Sequence, residues 1–275
     1  MGLLKIYDII YVILVAIIEG ITEWLPVSST AHLIIFSKVF SFLISNEIFT
    51  ENFIEMFDVV IQLGAIIAVI IIFFSELNPF KGGKEKFVLW LKIIVATIPV
   101  VVFTLIFDDL INIFDDLKII SFTLIFYGFI FILVENFQKS KITDINKISY
   151  LKAFLIGIIQ ILAIVPGTSR SGITIIFGML LGLNRKISAK FSFFLSIPVM
   201  FGASSLKIFE YVTNDIFTNN QIVLLLLGLI MTLVISLFVV RFLIDYTSKH
   251  SLKHFAWYRI VLGIFIIIGI LLKVL

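Results

Sequence analysis

Residues 19–30 read EGITEWLPVSST, set between the apolar runs YVILVAII (11–18) and LIIF (33–36). Two carboxylates four residues apart, a proline and three consecutive hydroxyls interrupt sequence that otherwise suits a membrane helix. Glu19 and Glu23 fall on one face of a helix at that spacing. Pro26 has no backbone donor and clashes with the preceding turn, so the helix is expected to end near Leu25. Val27, Ser28, Ser29 and Thr30 then form a tip, with His32 just beyond it.

Composition sets the surroundings of this tip. The chain of 275 residues is 61% hydrophobic and only 14% charged, with mean hydropathy +1.19, whereas a soluble domain is about 45–50% apolar. Apolar runs near the length of about 20 residues needed to cross a bilayer favour a helical bundle over a barrel, whose strands would alternate. With no cysteine, disulfides, thiol catalysis and cysteine metal sites are excluded. The N-terminus lacks a signal cleavage site and reads as mature protein. The net charge of +3 is expected to reflect cytoplasmic loops, and no nucleic-acid partner is expected.

Six full spans are predicted, at roughly 57–74, 88–107, 118–135, 191–209, 221–244 and 256–274. Two further apolar stretches, about 5–46 and 150–183, are each broken near the middle by proline and a polar cluster. Lysine and arginine mark cytoplasmic connections. Lys81, Lys84 and Lys86, then Lys139, Lys141, Lys147 and Lys152, then Arg185, Lys186 and Lys190 place three connections inside. Glu47, Glu51, Glu55 and Asp58, and Asp108, Asp109, Asp115 and Asp116, place two outside. Both broken stretches must then begin and end on one side of the membrane, the first outside and the second inside. Each half becomes one re-entrant helical hairpin plus three transmembrane helices. An odd number of spans inverts the second half, so the expectation is an all-α, inverted-topology repeat in a single membrane domain 1–275. Its halves cover about 1–140 and about 148–275, with a site formed at mid-membrane by broken helices of both. A faint echo between IIEGITEWLPVSS (17–29) and IIQILAIVPGTSRS (158–171) points the same way.

The second tip, PGTSRSGIT (166–174), supplies Pro166 and Gly167 as breakers, then Ser169, Arg170, Ser171 and Thr174. If Ser169 to Ser171 open a helix, their amides face an anion. Two glutamates and an arginine at membrane depth cost about 2.5–3.5 kcal/mol each, so they must be paired, hydrated or bound to a cation. Arg170 offers a fork of donors matched to phosphate oxygens, and two carboxylates can hold a divalent cation. Ser29 is a candidate nucleophile with His32 or Glu23 as its base. The set points to phosphate-ester or pyrophosphate cleavage, and the absence of a Walker lysine motif argues against ATP use. A secondary transporter using Glu19 and Glu23 as a coupling-ion site is the alternative, and a phosphatase that also flips lipid is a hybrid of the two. His250 and His254 read as solvated loop residues without a role.

The stretches EGITEWLPVSSTAH, FDVVIQLGAIIAV, PGTSRSGIT, FSFFLSIPVM and WYRIVLG, in this order over nearly the whole chain, closely resemble the undecaprenyl-diphosphatase family, also called the bacitracin-resistance proteins. The resemblance implies a multi-pass enzyme of the bacterial inner (plasma) membrane. Such an enzyme hydrolyses undecaprenyl diphosphate to undecaprenyl phosphate and inorganic phosphate, recycles the lipid carrier for peptidoglycan synthesis and confers bacitracin resistance. It also implies a divalent cation, Mg2+ or Ca2+, on Glu19 and Glu23, and catalytic roles for Glu19, Glu23, Ser29, His32 and Arg170. Phosphate binding is carried over to Ser28, Thr30, Ser169, Arg170, Ser171 and Thr174. A polyprenyl diphosphate lipid within the membrane is the implied substrate, with the site open to the outer face and a homodimer as a known arrangement. One departure is Ala31, where the family usually has glycine; it removes no reacting group. Whether Ser29 attacks phosphorus or only positions a water stays open.

Overall fold

The computed structural model describes residues 4–40, 44–45, 47–81, 83–107, 116–137 and 140–274. The predicted loop residues Asp108, Asp109, Asp115 and Lys139 lie outside them. Within the described residues six helices are long and apolar enough to cross a membrane: 51–72, 83–106, 117–137, 185–214, 219–249 and 253–271. Each overlaps one of the predicted spans, and the molecule is an all-helical integral membrane protein.

The first broken stretch comprises α1 (Ile6–Thr22) and α2 (Ser29–Phe40). The first span consists of α3 (Glu51–Val60) and α4 (Gln62–Ile72), followed by the short α5 (Phe74–Leu77), α6 (Gly83–Ile106) and α7 (Leu117–Phe137). The second broken stretch is α8 (Tyr150–Gln160), a 3₁₀ turn over Ile161–Ile164, and α9 (Arg170–Leu180). Three long helices close the chain: α10 (Arg185–Asn214), α11 (Asn219–Lys249) and α12 (Lys253–Leu271). Polar caps set several starts, with the side chains of Thr50, Ser149, Asn184 and Thr218 each accepting from an amide of the first turn.

Helix α1 ends at Thr22, earlier than the expected Leu25. Pro26 cannot donate to the carbonyl of Thr22 and its ring crowds that carbonyl, and a proline disfavours helical geometry in the residue before it, here Leu25. Glu23 keeps a helical backbone and donates its amide to the Glu19 carbonyl at 3.0 Å, so the two carboxylates remain one turn apart. A second difference lies at His254, read as a loop residue; it sits in the first turn of α12, its Nδ1 2.6 Å from the Tyr246 hydroxyl.

The two arms of each broken stretch pack on each other, α1 on α2 and α8 on α9. Between the halves, α1 packs on α11 and α8 on α6, α4 on α10, and α7 on α12. The α7–α12 crossing depends on small residues. A Cβ on Gly128 would lie 3.0 Å from the Ala256 carbonyl oxygen, and one on Gly263 would lie 2.8 Å from that of Ser121. Outward, α11 exposes Val223, Leu226, Ile230, Val234 and Phe238, an apolar stripe at helical spacing that suits lipid.

Connections of like charge share an end. At the lysine-rich end Lys190 pairs with Glu76 at 2.9 Å, Lys92 donates to the Asn146 carbonyl at 2.7 Å, and Arg185 grips Glu135 at 2.6–3.0 Å. At the acidic end Asn52 donates to Asp215 at 2.7 Å and Gln221 to the Ile48 carbonyl at 2.8 Å, with Lys207 between Glu55 and Glu210.

Candidate active site

The two breaks share one backbone device. Ser28 and Ser169, each immediately before the second arm of its stretch, adopt left-handed backbones with φ of 75° and 70°. That geometry costs a non-glycine residue about 1–3 kcal/mol and concentrates at functional sites. Ser169 also caps α9, its hydroxyl accepting from the Gly172 amide at 3.1 Å. Helix α9 starts at Arg170, as the expected helix opening requires. Gly167 turns the chain at φ +86°, where a Cβ would come within 2.1 Å of Thr123 Oγ1.

Three sets of bonds tie the breaks to each other. Arg170 Nη2 donates to Glu23 Oε1 at 2.6 Å. The Ser171 hydroxyl lies 3.1 Å from the Glu23 carbonyl oxygen and 3.3 Å from that of Leu25, able to donate to one at a time. Arg259, fully buried, donates through Nη2 to the Gly167 carbonyl at 2.8 Å and through Nη1 to the Pro26 carbonyl at 3.3 Å. Its guanidinium lies 6.0 and 5.8 Å from the ring centres of Tyr127 and Phe131.

A cavity of about 210 Å³ opens where the breaks meet. Glu23, Ser28, Ser29 and Thr30 line it from the first, Ser169, Arg170 and Ser171 from the second, with Gln62, Gln160 and Met200 beside them. Ser29 Oγ donates to Glu23 Oε2 at 2.6 Å, so both oxygens of this carboxylate are engaged, one by a hydroxyl and one by a guanidinium. Arg170 is further held by the Ser192 carbonyl at 3.0 Å and by Met200 Sδ at 3.2 Å, while its ring neighbour Trp24 is 5.9 Å away.

Three predicted site residues stand off the cavity wall. Glu19 is fully buried behind it, and neither of its carboxylate oxygens has a protein partner. Thr174 supports Arg170 instead of facing the cavity, its hydroxyl 2.7 Å from Ser192 Oγ and 2.8 Å from the Arg170 carbonyl. His32 has both ring nitrogens occupied: Nδ1 is 2.7 Å from the Ser28 carbonyl oxygen and Nε2 is 2.7 Å from the Tyr258 hydroxyl. A carbonyl can only accept, so Nδ1 carries a proton, and with the ring neutral Nε2 accepts from Tyr258. Ala31 is a helical, fully buried residue of α2, a position that makes no demand for glycine.

A divalent cation needs oxygen ligands. Among the described residues no group of three or more His, Cys, Asp or Glu side chains is gathered for a metal. Glu19 nevertheless fits one, because its two buried oxygens have no donor from the protein, and a buried carboxylate without a counter-charge is costly. Glu23, one turn on, could add an oxygen only by giving up part of its present pairing.

Arg259, Tyr258, Gln62 and Gln160 stand in stretches that carry the resemblance or the echo, but the sequence alone assigned none of them a role. A charge inside the apolar run 254–272 is itself a signal, since intramembrane arginines seldom lack a role.

The family described as Bacitracin resistance protein BacA matches residues 12–265. Among similar proteins, an undecaprenyl-diphosphatase of Desulfitobacterium hafniense is 42% identical, the match covering 96% of this chain and 97% of that protein. Another, of Streptococcus mutans, is 44% identical over 98% of each. A third, of Lachnoclostridium phytofermentans, is 45% identical over 93% of this chain and 94% of its own length.

Proposed function

The chain belongs to the bacitracin resistance protein family, and from that premise we propose how its cavity performs the family's reaction. The protein is an undecaprenyl-diphosphatase: it hydrolyses undecaprenyl diphosphate to undecaprenyl phosphate and inorganic phosphate, returning the carrier to cell-wall synthesis. The observation that carries the assignment of the site is the Ser29–Glu23–Arg170 chain, a hydroxyl, a carboxylate and a guanidinium in contact at 2.6 Å each on one cavity wall.

In this reading the diphosphate enters between the breaks and Arg170 transfers part of its fork from Glu23 to the terminal phosphate. Ser29 Oγ attacks that phosphorus and passes its proton to Glu23 Oε2. The bond from phosphorus to the bridging oxygen breaks, Glu23 gives that proton to the departing oxygen, and undecaprenyl phosphate leaves. The freed carboxylate then takes a proton from water as the water attacks the phosphoserine, and returns it to Ser29 Oγ as inorganic phosphate is released. Glu23 serves as the base ahead of His32 because it already accepts from Ser29, whereas both His32 nitrogens are taken by Ser28 and Tyr258. A bound Mg2+ or Ca2+, held by Glu19 with Glu23, would neutralise phosphate charge.

The inverted-topology repeat, with α1–α2 and α8–α9 as re-entrant hairpins, belongs to the same reading. It is supported by the exchange of partners between the halves: the first arm of each hairpin packs on the second span of the other half. An outward-facing site in the bacterial plasma membrane is supported by the wall residues Val100 of α6 and Ala203 of α10, which lie past the midpoint of their helices toward the acidic end, with Val199 and Met200 at the midpoint of α10. The polyprenyl tail then lies among the apolar spans.

Phosphate release from undecaprenyl diphosphate by the protein in detergent tests the assignment. Wild type is expected to release phosphate, to stop with chelator and to resume with Mg2+ or Ca2+. Ser29→Ala is expected to fall by at least about 10²-fold, as loss of an activated group does, and quenched wild type to carry phosphate on Ser29. Full turnover by Ser29→Ala would instead assign the attack to water, with Ser29 only positioning it.

A further inference from the structure

Gln160, the last residue of α8, lines the cavity and is only 1% exposed, yet neither its Oε1 nor its Nε2 has a hydrogen-bond partner in the protein. Buried amides almost always find partners, and one left unpaired weakens the fold. The charged and hydroxyl groups assigned to the reaction are already committed, while Thr30 and Gln62 on the same wall are less buried than Gln160. Ser29 donates to Glu23, Arg170 divides its fork among Glu23, Ser192 and Met200, and Ser171 is spent on first-break carbonyls. The Gln160 amide is thus a buried donor at the cavity whose bonding capacity is unused.

Its position explains the choice of residue type. In the echo between the two breaks Gln160 stands where the first has Glu19. A carboxylate there suits a cation and repels phosphate. An amide of the same length carries no charge, donates two N–H groups and tolerates an anion beside it. The site is therefore polarised, with acid behind the first break and amide plus guanidinium at the second.

We propose that Gln160 is a further substrate-binding residue, its Nε2–H group donating to a diphosphate oxygen from the side of the second break. This rests on the reading of the cavity as the diphosphate site. The bond is made to ground state and transition state alike, so it acts on KM more than on kcat.

The test uses full-length protein in detergent, with undecaprenyl diphosphate as substrate and inorganic pyrophosphate as competing ligand. Gln160→Leu is expected to raise KM and the pyrophosphate inhibition constant by about tenfold each while kcat changes less than about threefold. The melting temperature should hold or rise, because an unpaired buried amide is removed. Gln160→Glu, of equal length, should raise both constants further by setting a carboxylate against phosphate, and it decides the matter if the leucine variant does not fold. Unchanged constants in a folded variant, whatever kcat does, overturn the proposal. Arg170→Ala measured alongside separates the two failures: if it too binds and turns over normally, the cavity reading falls; if it alone is impaired, only the role of Gln160 falls.

Discussion

The breaks at 23–28 and 165–169 solve one backbone problem in the same way and then diverge in chemistry. Both use a proline to stop an apolar helix, a left-handed serine to redirect the chain and a polar residue just inside the first arm. The first arms the cavity with Glu23 and Ser29 and keeps Glu19 buried behind its wall, the second arms it with Gln160, Ser169 and Arg170. The geometry is repeated while the charge is not. Two breaks built alike set a carboxylate and a guanidinium 2.6 Å apart among apolar helices, where either charge left unpaired would be costly.

The sharpest way to break this comparison is to remove the second break's charge. Arg170→Ala leaves Glu23 without its cation and the phosphates without a fork. Where an arginine stabilises phosphoryl transfer its loss costs about 10³–10⁵-fold in rate, and a fall in kcat/KM of that order is expected, measured as phosphate release. Arg170→Lys should recover little, since a point charge cannot hold Glu23 and a phosphate in the planar fork of a guanidinium. A kcat/KM within tenfold of wild type for Arg170→Ala would mean that the second break is scaffold alone.

How far this frame was legible in the sequence varies with the kind of signal. The six spans are long apolar runs, and their ends carry the acidic or basic residues that sort them, so pattern sufficed. Glu23, Ser29 and Arg170 stand out because polar groups are costly among apolar neighbours. Which of these groups face the cavity was not legible. Thr174 lies one turn beyond Arg170 and read as another phosphate ligand, yet its hydroxyl is turned to Ser192. His32 read as a base, but Tyr258, 226 residues away in the chain, occupies its second nitrogen. Partners so distant leave no local pattern. The helix end at Thr22 was misplaced because Pro26 acts on the carbonyl a full turn before it.

Arg259 sharpens the comparison from outside both breaks, since it bonds the Pro26 carbonyl of one and the Gly167 carbonyl of the other. It touches no reacting atom and serves as a positioning residue. Arg259→Lys keeps the charge but cannot reach both carbonyls with one fork. Misplacement of about 1 Å can cost about 10²-fold, so kcat should fall by up to about 10²-fold while KM for undecaprenyl diphosphate moves much less. A lysine variant with wild-type kcat would show that the breaks hold their register without this clamp.

The smallest effect is expected where the second break is tied to the scaffold alone. Thr123 of α7 places its hydroxyl 2.7 Å from the Pro166 carbonyl oxygen and 3.0 Å from its own helix carbonyl at Ile120, donating to one at a time. Gly167 packs against the same oxygen. Thr123→Val keeps the shape and removes the donor, leaving the buried Pro166 carbonyl short of a partner, a loss of about 1–3 kcal/mol. The melting temperature in detergent should therefore drop, while kcat changes only a few-fold because Arg259 still holds Gly167 in place. Thr123→Ser, which restores the donor, should recover the melting temperature. If the valine variant melts with wild type, the tie from α7 contributes nothing, and the second break depends on its bonds to the first break and to Arg259 for its position.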